Sequence, residues 1–357
     1  MVNLDDRALV IKIQGGENVI GSVNNFPKQL LQSWEESQRV SLPEDYSQVK
    51  NIVVCGMGGS RFPALIIKEL FKEEITVPYL INDDYNLPAF VDENSLVILS
   101  SYSGTTEEVI ECGKKALEKK AKLLGISAGG TVADFLKQNS FPYYSFNPVY
   151  NSSGQPRIGF GYSVGGHLGF LNKLGFIKTD GTLIEKAINN LSESTKGFLL
   201  ETATKNNPAK QIALAIYQKY PYYVVSEFLT GIGNAIANQT NETAKSISSY
   251  RIIPEINHHL MEGLKHPDEL KKLALFIFFF SKLYSPRVQK RFFITKEVVE
   301  KNGLQTYWYE LKGESRIEQA LELMALGGYF SMYLSTLYQE DPTVIPFVDY
   351  FKKKLSE

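Results

Sequence analysis

Asn51-Ile-Val-Val-Cys-Gly-Met-Gly-Gly-Ser60 is a short apolar run ending in a glycine-rich turn, and a helix-compatible stretch, Pro63 to Leu70, follows it. The same alternation continues outward. Val77 to Ile81 leads into Asn82-Asp83-Asp84, Ser95 to Ser100 (SLVILS) is a third apolar run, and Lys122 to Ile126 (KLLGI) a fourth. Between the last two, Val109, Ile110, Ala116 and Leu117 recur at helical spacing within Thr106 to Lys120, with Glu107 and Glu108 in the first turn. Short apolar strands alternating with helices imply a parallel sheet covered on both faces.

The second half repeats the theme. Tyr222 to Ser226, Arg291 to Thr295 and Thr306 to Leu311 read as strands. Gly313-Glu-Ser315 opens a long apolar helix with Ile317, Ala320, Leu321, Met324 and Leu326 on its buried side. A short amphipathic helix closes the chain at Leu355, after the turn Asp341-Pro342-Thr343. Leu273 to Phe280 is the longest apolar run, and it reads as a buried helix. It is far shorter than the roughly 20 residues a bilayer span requires. Asn206-Asn207-Pro208 breaks the pattern, giving two α/β domains over 1–195 and 205–357. A length of 357 residues agrees with two domains at about 150 residues each.

Composition excludes several classes. Lys and Arg total 38 against 39 Asp and Glu, so no basic field suits a nucleic-acid backbone. Cys55 and Cys112 are the only cysteines, which rules out a disulfide framework and a cysteine zinc cluster, and with four histidines a His-rich metal site is not expected. The acidic N-terminus, Met-Val-Asn-Leu-Asp-Asp, lacks the pattern of a signal peptide. A cytoplasmic protein without membrane or nucleic-acid partners is expected.

Two loops are suited to phosphate. Gly56-Met-Gly-Gly-Ser60 places flexible backbone, Gly59 and the Ser60 hydroxyl between a strand and a helix start, where backbone N–H groups favour anions. A dinucleotide fold is a rival: Arg61 replaces its third glycine, while Asp83 and Asp84 stand at a suitable distance for its acidic residue. In the second loop, Ser101-Tyr-Ser-Gly-Thr-Thr106, Ser101, Ser103, Thr105 and Thr106 are more hydroxyls than one helix cap requires. Two such loops at the carboxyl ends of strands in one sheet favour a phosphomonoester pocket. The chain has no Walker Gly-Lys-Ser/Thr.

With these loops the chain resembles the sugar isomerase (SIS) domain, and over its length from about Lys50 it is similar to the bifunctional phosphoglucose/phosphomannose isomerase family. Five ordered blocks carry the resemblance: Gly56 to Ser60; Ser101 to Glu107; Gln155-Pro-Arg157 with Gly161-Tyr162; Asn241-Glu-Thr-Ala-Lys245 with Pro254 to His258; and Asp341-Pro-Thr343 with Lys352. The resemblance implies two SIS-type domains, each a mainly parallel sheet flanked by helices. It also implies an aldose–ketose isomerase acting on glucose 6-phosphate and mannose 6-phosphate without a metal or other cofactor. The alternative is a non-catalytic sugar-phosphate-binding SIS protein.

Such an isomerase needs an acid/base to open the hemiacetal ring, a base to move a proton between C1 and C2, and a cation beside the enediolate. By composition Glu242 is a solvated carboxylate beside Lys245; the resemblance implies that it is the proton-transfer base. It likewise implies ring opening by His258, in preference to its neighbour His259, and by Lys352, with Lys353 as the alternative. Arg157 then stabilises the enediolate. Gly59, Ser60, Ser101, Ser103 and Thr106 hold the phosphate. In this family the histidine reaches the partner subunit's site, which implies a homodimer. Three features depart from the family pattern: Ala235 and Ala237 stand where many members carry basic residues, Arg61 follows Ser60 in place of a small residue, and Ser226 to Asn234 is atypical.

Overall fold

The computed structural model describes residues 2–355 and 357. Among these residues, nine strands form two separate sheets, parallel at every pairing. The first contains β1 (Asn51–Cys55), β2 (Tyr79–Asn82), β3 (Ser95–Ser101), β4 (Lys122–Ser127) and β5 (Tyr143–Ser145), in the order β2-β1-β3-β4-β5. The second contains β6 (Tyr220–Ser226), β7 (Ser249–Ile253), β8 (Ala274–Phe280) and β9 (Gln305–Glu310), in the order β7-β6-β8-β9. Both therefore begin on an inner strand, step to one edge and return past the start. This creates a reversal of strand order between β1 and β3, and another between β6 and β8.

The inner strands β3 and β8 are covered on both faces. Every residue of β3 and of β8 is buried, as expected of a parallel strand covered by helices above and below. This corrects the reading of Leu273 to Phe280 as a helix. Seven residues suit a strand crossing a core, and a continuous apolar run carries no period to distinguish the two. Arg291 to Thr295 errs the other way: it lies inside the helix Pro286–Lys301, whose buried side is Val288, Phe292, Thr295 and Val299. That period of three and four is invisible in a five-residue window.

A helical layer joins the two sheets. The helix Arg316–Tyr338 starts at a capping box, in which the Ser315 hydroxyl accepts from the Glu318 amide and the Glu318 carboxylate from the Ser315 amide. Almost its whole length is buried against the helices Gly16–Asn24, Gly181–Ser194, Pro208–Ile216 and Thr230–Ala244. The Thr230–Ala244 helix also packs on Phe62–Leu70, which follows the first glycine-rich loop. Gly231 permits this approach, since a Cβ there would stand 2.3 Å from the Leu65 carbonyl oxygen. The contact brings a helix of the second sheet to the crevice of the first. Among the described residues no helix is long and apolar enough to cross a membrane.

Candidate active site

The reversal between β1 and β3 opens a cavity of about 480 Å³, a size suited to a small ligand. The glycine-rich loop and the hydroxyl loop form one wall, Arg157 and Glu242 another, and the final helix Pro346–Leu355 covers the remaining side.

The two loops are bonded into one unit. The Ser60 hydroxyl accepts the Tyr102 amide at 2.8 Å, and the Ser100 hydroxyl donates to the Ser60 carbonyl at 2.8 Å. Gly104 adopts φ +71°, and a side chain there would collide with the Gly129 carbonyl oxygen at 1.7 Å, so the hydroxyl loop lies directly on the loop after β4. Gly59 packs on the backbone of Arg157. Ser60, Ser103 and Thr106 line the cavity with Gly59. Ser101 does not: it is fully buried beneath the loop, its hydroxyl bonded to Thr106 Oγ1 at 2.8 Å and accepting the Gly104 amide at 3.1 Å. Thr106, at the N-cap of helix Glu107–Glu118, makes no capping bond with its side chain and instead pairs with Ser101. Thr105, which also lines the cavity, is an additional hydroxyl at the wall.

Arg157 is 2% exposed and holds the centre of the site. Its Nε donates to Thr243 Oγ1 at 3.3 Å, and Nη1 to Gln155 Oε1 at 2.9 Å and to Glu242 Oε2 at 3.5 Å. Nη2 donates to the carbonyls of Pro342 at 2.6 Å and Thr343 at 2.9 Å. The five N–H groups of a guanidinium are thereby all directed to partners. Burial pushes its proton affinity down, and Glu242 and Asp341 pull it back up. Asn151 steadies the loop before Arg157 by donating to Tyr102 Oη at 2.7 Å and to the Gln155 carbonyl at 3.1 Å.

Glu242 lies in the last turn of the helix Thr230–Ala244 with its side chain 33% exposed, at the cavity wall. Burial raises its pKa above the ordinary carboxylate value, while Arg157, Lys245 and Lys352 act against that rise. Lys352 lines the cavity from the final helix. Lys353, its alternative in the sequence reading, does not line it. His258 is not brought to the cavity within this chain. It ends the short helical turn Glu255–His258 after β7 and is exposed. His259 pairs with Glu255 at 2.8 Å. Ala235 and Ala237 are buried in the helical layer, where a charged side chain would be costly.

Arg61, the residue after Ser60, is held by Asp83 at 2.9 Å, and Asp84 accepts the Asn86 amide at 3.0 Å. The acidic pair that a dinucleotide site would use for a ribose is thus engaged locally.

The carbonyls of Pro342 and Thr343 are the partners of Arg157 that the sequence did not point to as contacts, although Asp341-Pro-Thr343 stood out as a motif. Lys245 and Thr243 were visible in the same stretch as Glu242.

Across 94% of its length the chain is 31% identical to a bifunctional phosphoglucose/phosphomannose isomerase of Caldicellulosiruptor bescii, covering 98% of that protein. The chain belongs to the bifunctional phosphoglucose/phosphomannose isomerase family. A relative with the same description from Aquifex aeolicus is 29% identical, over 96% of this chain and 99% of its own. Residues 205–355 match the bacterial phospho-glucose isomerase C-terminal SIS domain, and residues 45–135 match the SIS domain. Solved structures agree on the fold. A hypothetical protein of Thermus thermophilus superimposes with a TM-score of 0.74 at 17% identity, covering 99% of this chain and 94% of its own. The C-terminal domain of a glucosamine-fructose-6-phosphate aminotransferase from Francisella tularensis also gives 0.74, at 12% identity, covering 92% and 98%. The two parallel sheets are accordingly those of a two-SIS-domain member of the phosphoglucose/phosphomannose isomerase family.

Proposed function

We propose that the protein is an aldose–ketose isomerase interconverting glucose 6-phosphate, and mannose 6-phosphate, with fructose 6-phosphate through a cis-enediolate. The observation that carries this reading is a carboxylate of raised pKa, Glu242, 3.5 Å from a fully buried guanidinium, Arg157, at one wall of a cavity whose other wall is rich in hydroxyls and amides. The phosphate sits at Gly59, Ser60, Ser103 and Thr106, with Ser101 supporting the loop from beneath. Lys352 transfers protons between the ring oxygen and the C1 hydroxyl as the ring opens. Glu242 then removes the proton from C2 of the aldose and delivers it to C1, while the O2 proton passes to O1, leaving the C2 carbonyl and C1 hydroxyl of the ketose. A base whose pKa lies nearer to neutral suits both halves of that transfer. Since its N–H groups are committed, Arg157 stabilises the developing enediolate through its charge, or by exchanging the long bond to Glu242 for one to the oxyanion. Glucose and mannose 6-phosphates yield the same enediolate when C2 is deprotonated, so rotation about C2–C3 suffices for dual specificity.

The protein in this reading is a cytoplasmic homodimer with domains at 1–195 and 205–357. The exposed His258 of one copy completes ring opening in the cavity of the other. Mixing Glu242→Gln with His258→Ala subunits tests this. If one hybrid dimer carries one intact site, activity reappears on mixing; failure to recover any sinks the shared site.

The primary test supplies fructose 6-phosphate to the purified protein in EDTA and quantifies both aldose phosphates. Formation of both, lost in Glu242→Gln, supports one base in a dual-specificity site. Only glucose 6-phosphate would remove the mannose activity. Binding of fructose 6-phosphate without turnover would leave a sugar-phosphate-binding protein.

A further inference from the structure

We infer that Lys245 is a positioning residue that fastens the Asp341–Thr343 turn to the end of the helix bearing Glu242, and thereby fixes Arg157; the inference rests on the isomerase reading above. Lys245 stands immediately after the helix with φ +52°, in the left-handed region that side chains other than glycine enter at a cost. The reversal returns its ammonium over the helix end. Nζ donates to the carbonyls of Glu242 at 3.0 Å and Thr243 at 3.5 Å, in the last turn, where carbonyls lack helical partners. It also donates to the Asp341 carbonyl at 2.6 Å. These are the same two segments that hold Arg157: Thr243 takes Nε, while Pro342 and Thr343 take Nη2. The tie crosses 96 residues of sequence, so local chain geometry does not supply it. Within the turn, the Asp341 carboxylate accepts the Thr343 amide at 2.7 Å and its hydroxyl at 2.5 Å, which sets the shape of the turn but does not anchor it to the helix. The chain continues from this turn into the final helix and Lys352, so the same tie sets the root of that helix.

The charged groups facing Lys245 are Arg157, Glu242, Glu340 and Asp341. Burial, with Arg157 beside it, brings the Lys245 pKa down to about 8 against the opposing pull of the three carboxylates. Above that pH the ammonium loses its charge and its bonds to carbonyls weaken.

The test compares Lys245→Met and Lys245→Arg with the wild type by steady-state kinetics over pH, by inhibition with inorganic phosphate, and by hydrogen exchange of the amides present within 341–346, those of Asp341, Thr343, Val344 and Ile345. In Lys245→Met kcat falls by on the order of tenfold to a hundredfold, the inhibition constant for phosphate stays within about twofold because neither loop is touched, and these amides exchange faster. Lys245→Arg, which retains a charged donor, recovers most of kcat and moves the alkaline limb upward. The inference is overturned if Lys245→Met keeps the exchange of 341–346 unchanged, or if it weakens phosphate binding as much as it lowers kcat. Should Lys245→Met not fold, Lys245→Arg alone decides, through the alkaline limb: an unmoved limb overturns the inference. Absence of isomerase activity in the wild type defeats the isomerase reading instead, and the exchange comparison then decides the tie by itself.

Discussion

The two sheets share a strand order but treat the crevice at their reversal in opposite ways. In the first, β1 and β3 run into glycines and small hydroxyls, and the space between is a cavity. In the second, β6 and β8 run into Ser226-Glu227-Phe228 and Ser281-Lys-Leu-Tyr284-Ser285, and side chains close the crevice. Tyr284 is buried, accepts the Ser226 amide at 3.2 Å, donates to the Phe279 carbonyl at 3.3 Å, and packs on Phe228 with ring centroids 5.5 Å apart. The Glu227 carboxylate accepts the Ser285 amide at 3.1 Å and its hydroxyl at 2.7 Å. A protein carboxylate thus occupies the kind of place proposed for the phosphate in the first sheet. One crevice is an open cavity and the other a structural joint, and the second sheet reaches that cavity through its helices instead.

The sharpest way to break this comparison is to neutralise one carboxylate on each side. Glu242→Gln should lower kcat by roughly a thousandfold while fructose 6-phosphate still binds. Glu227→Gln should leave kcat within about twofold, and lower the free energy of unfolding by about 1 kcal/mol. Equal effects on turnover would show that the second crevice is not merely structural.

Perturbing the packing around each crevice comes next. Gly104→Val forces a branched side chain at φ +71° into the loop after β4. It should cost about 2 kcal/mol or more of stability and abolish phosphate inhibition, read by denaturant titration and kinetics. Tyr284→Phe leaves the Ser226 amide without its partner and should cost about 1–3 kcal/mol, with kcat per folded molecule unchanged.

The pH profile sharpens the electrostatics. A base must be deprotonated to act, and Glu242 has a raised pKa. The acidic limb of kcat/KM, which reports the free enzyme, should therefore lie above the ordinary carboxylate value. Arg157 favours the charged carboxylate, so Arg157→Gln should move that limb further up as well as lowering kcat; a downward move would contradict the assigned electrostatics. The smallest effect is expected for Ser103→Ala. This exposed hydroxyl on the cavity wall should raise KM by roughly tenfold or less at nearly constant kcat.

Much of this was legible in the residues. Glycines and hydroxyls after apolar strands state their purpose locally, because backbone freedom and donor density are properties of five or six consecutive residues. Four of the five strands of the first sheet, the Ser315 helix start and the strand read at Tyr222 to Ser226 were legible for that reason, whereas β5 and β7 were not read. Leu273 to Phe280 was misread because uniform apolarity erases the period, and Arg291 to Thr295 because five residues are too few to reveal one. Ser101 was counted among the phosphate ligands because its hydroxyl is indistinguishable in sequence from that of Ser103; only the turn at Gly104 directs one beneath the loop and the other to the cavity wall.

By itself, then, the sequence determined the parallel α/β class and singled out two loops suited to an anion. It also supplied a resemblance that singled out Glu242, Arg157, His258 and Lys352. The tertiary structure alone decided which of these meet. Arg157 lies 85 residues from Glu242 and 185 from the Pro342 carbonyl, and that carbonyl belongs to the backbone, which has no residue-type signature. Their meeting depends on the close packing of Gly231 against Phe62–Leu70 and on the tie from Lys245 to Asp341, contacts whose geometry is set by packing between distant segments. His258 remains on the far sheet because β7 is an edge strand, and within one chain nothing carries it to the cavity.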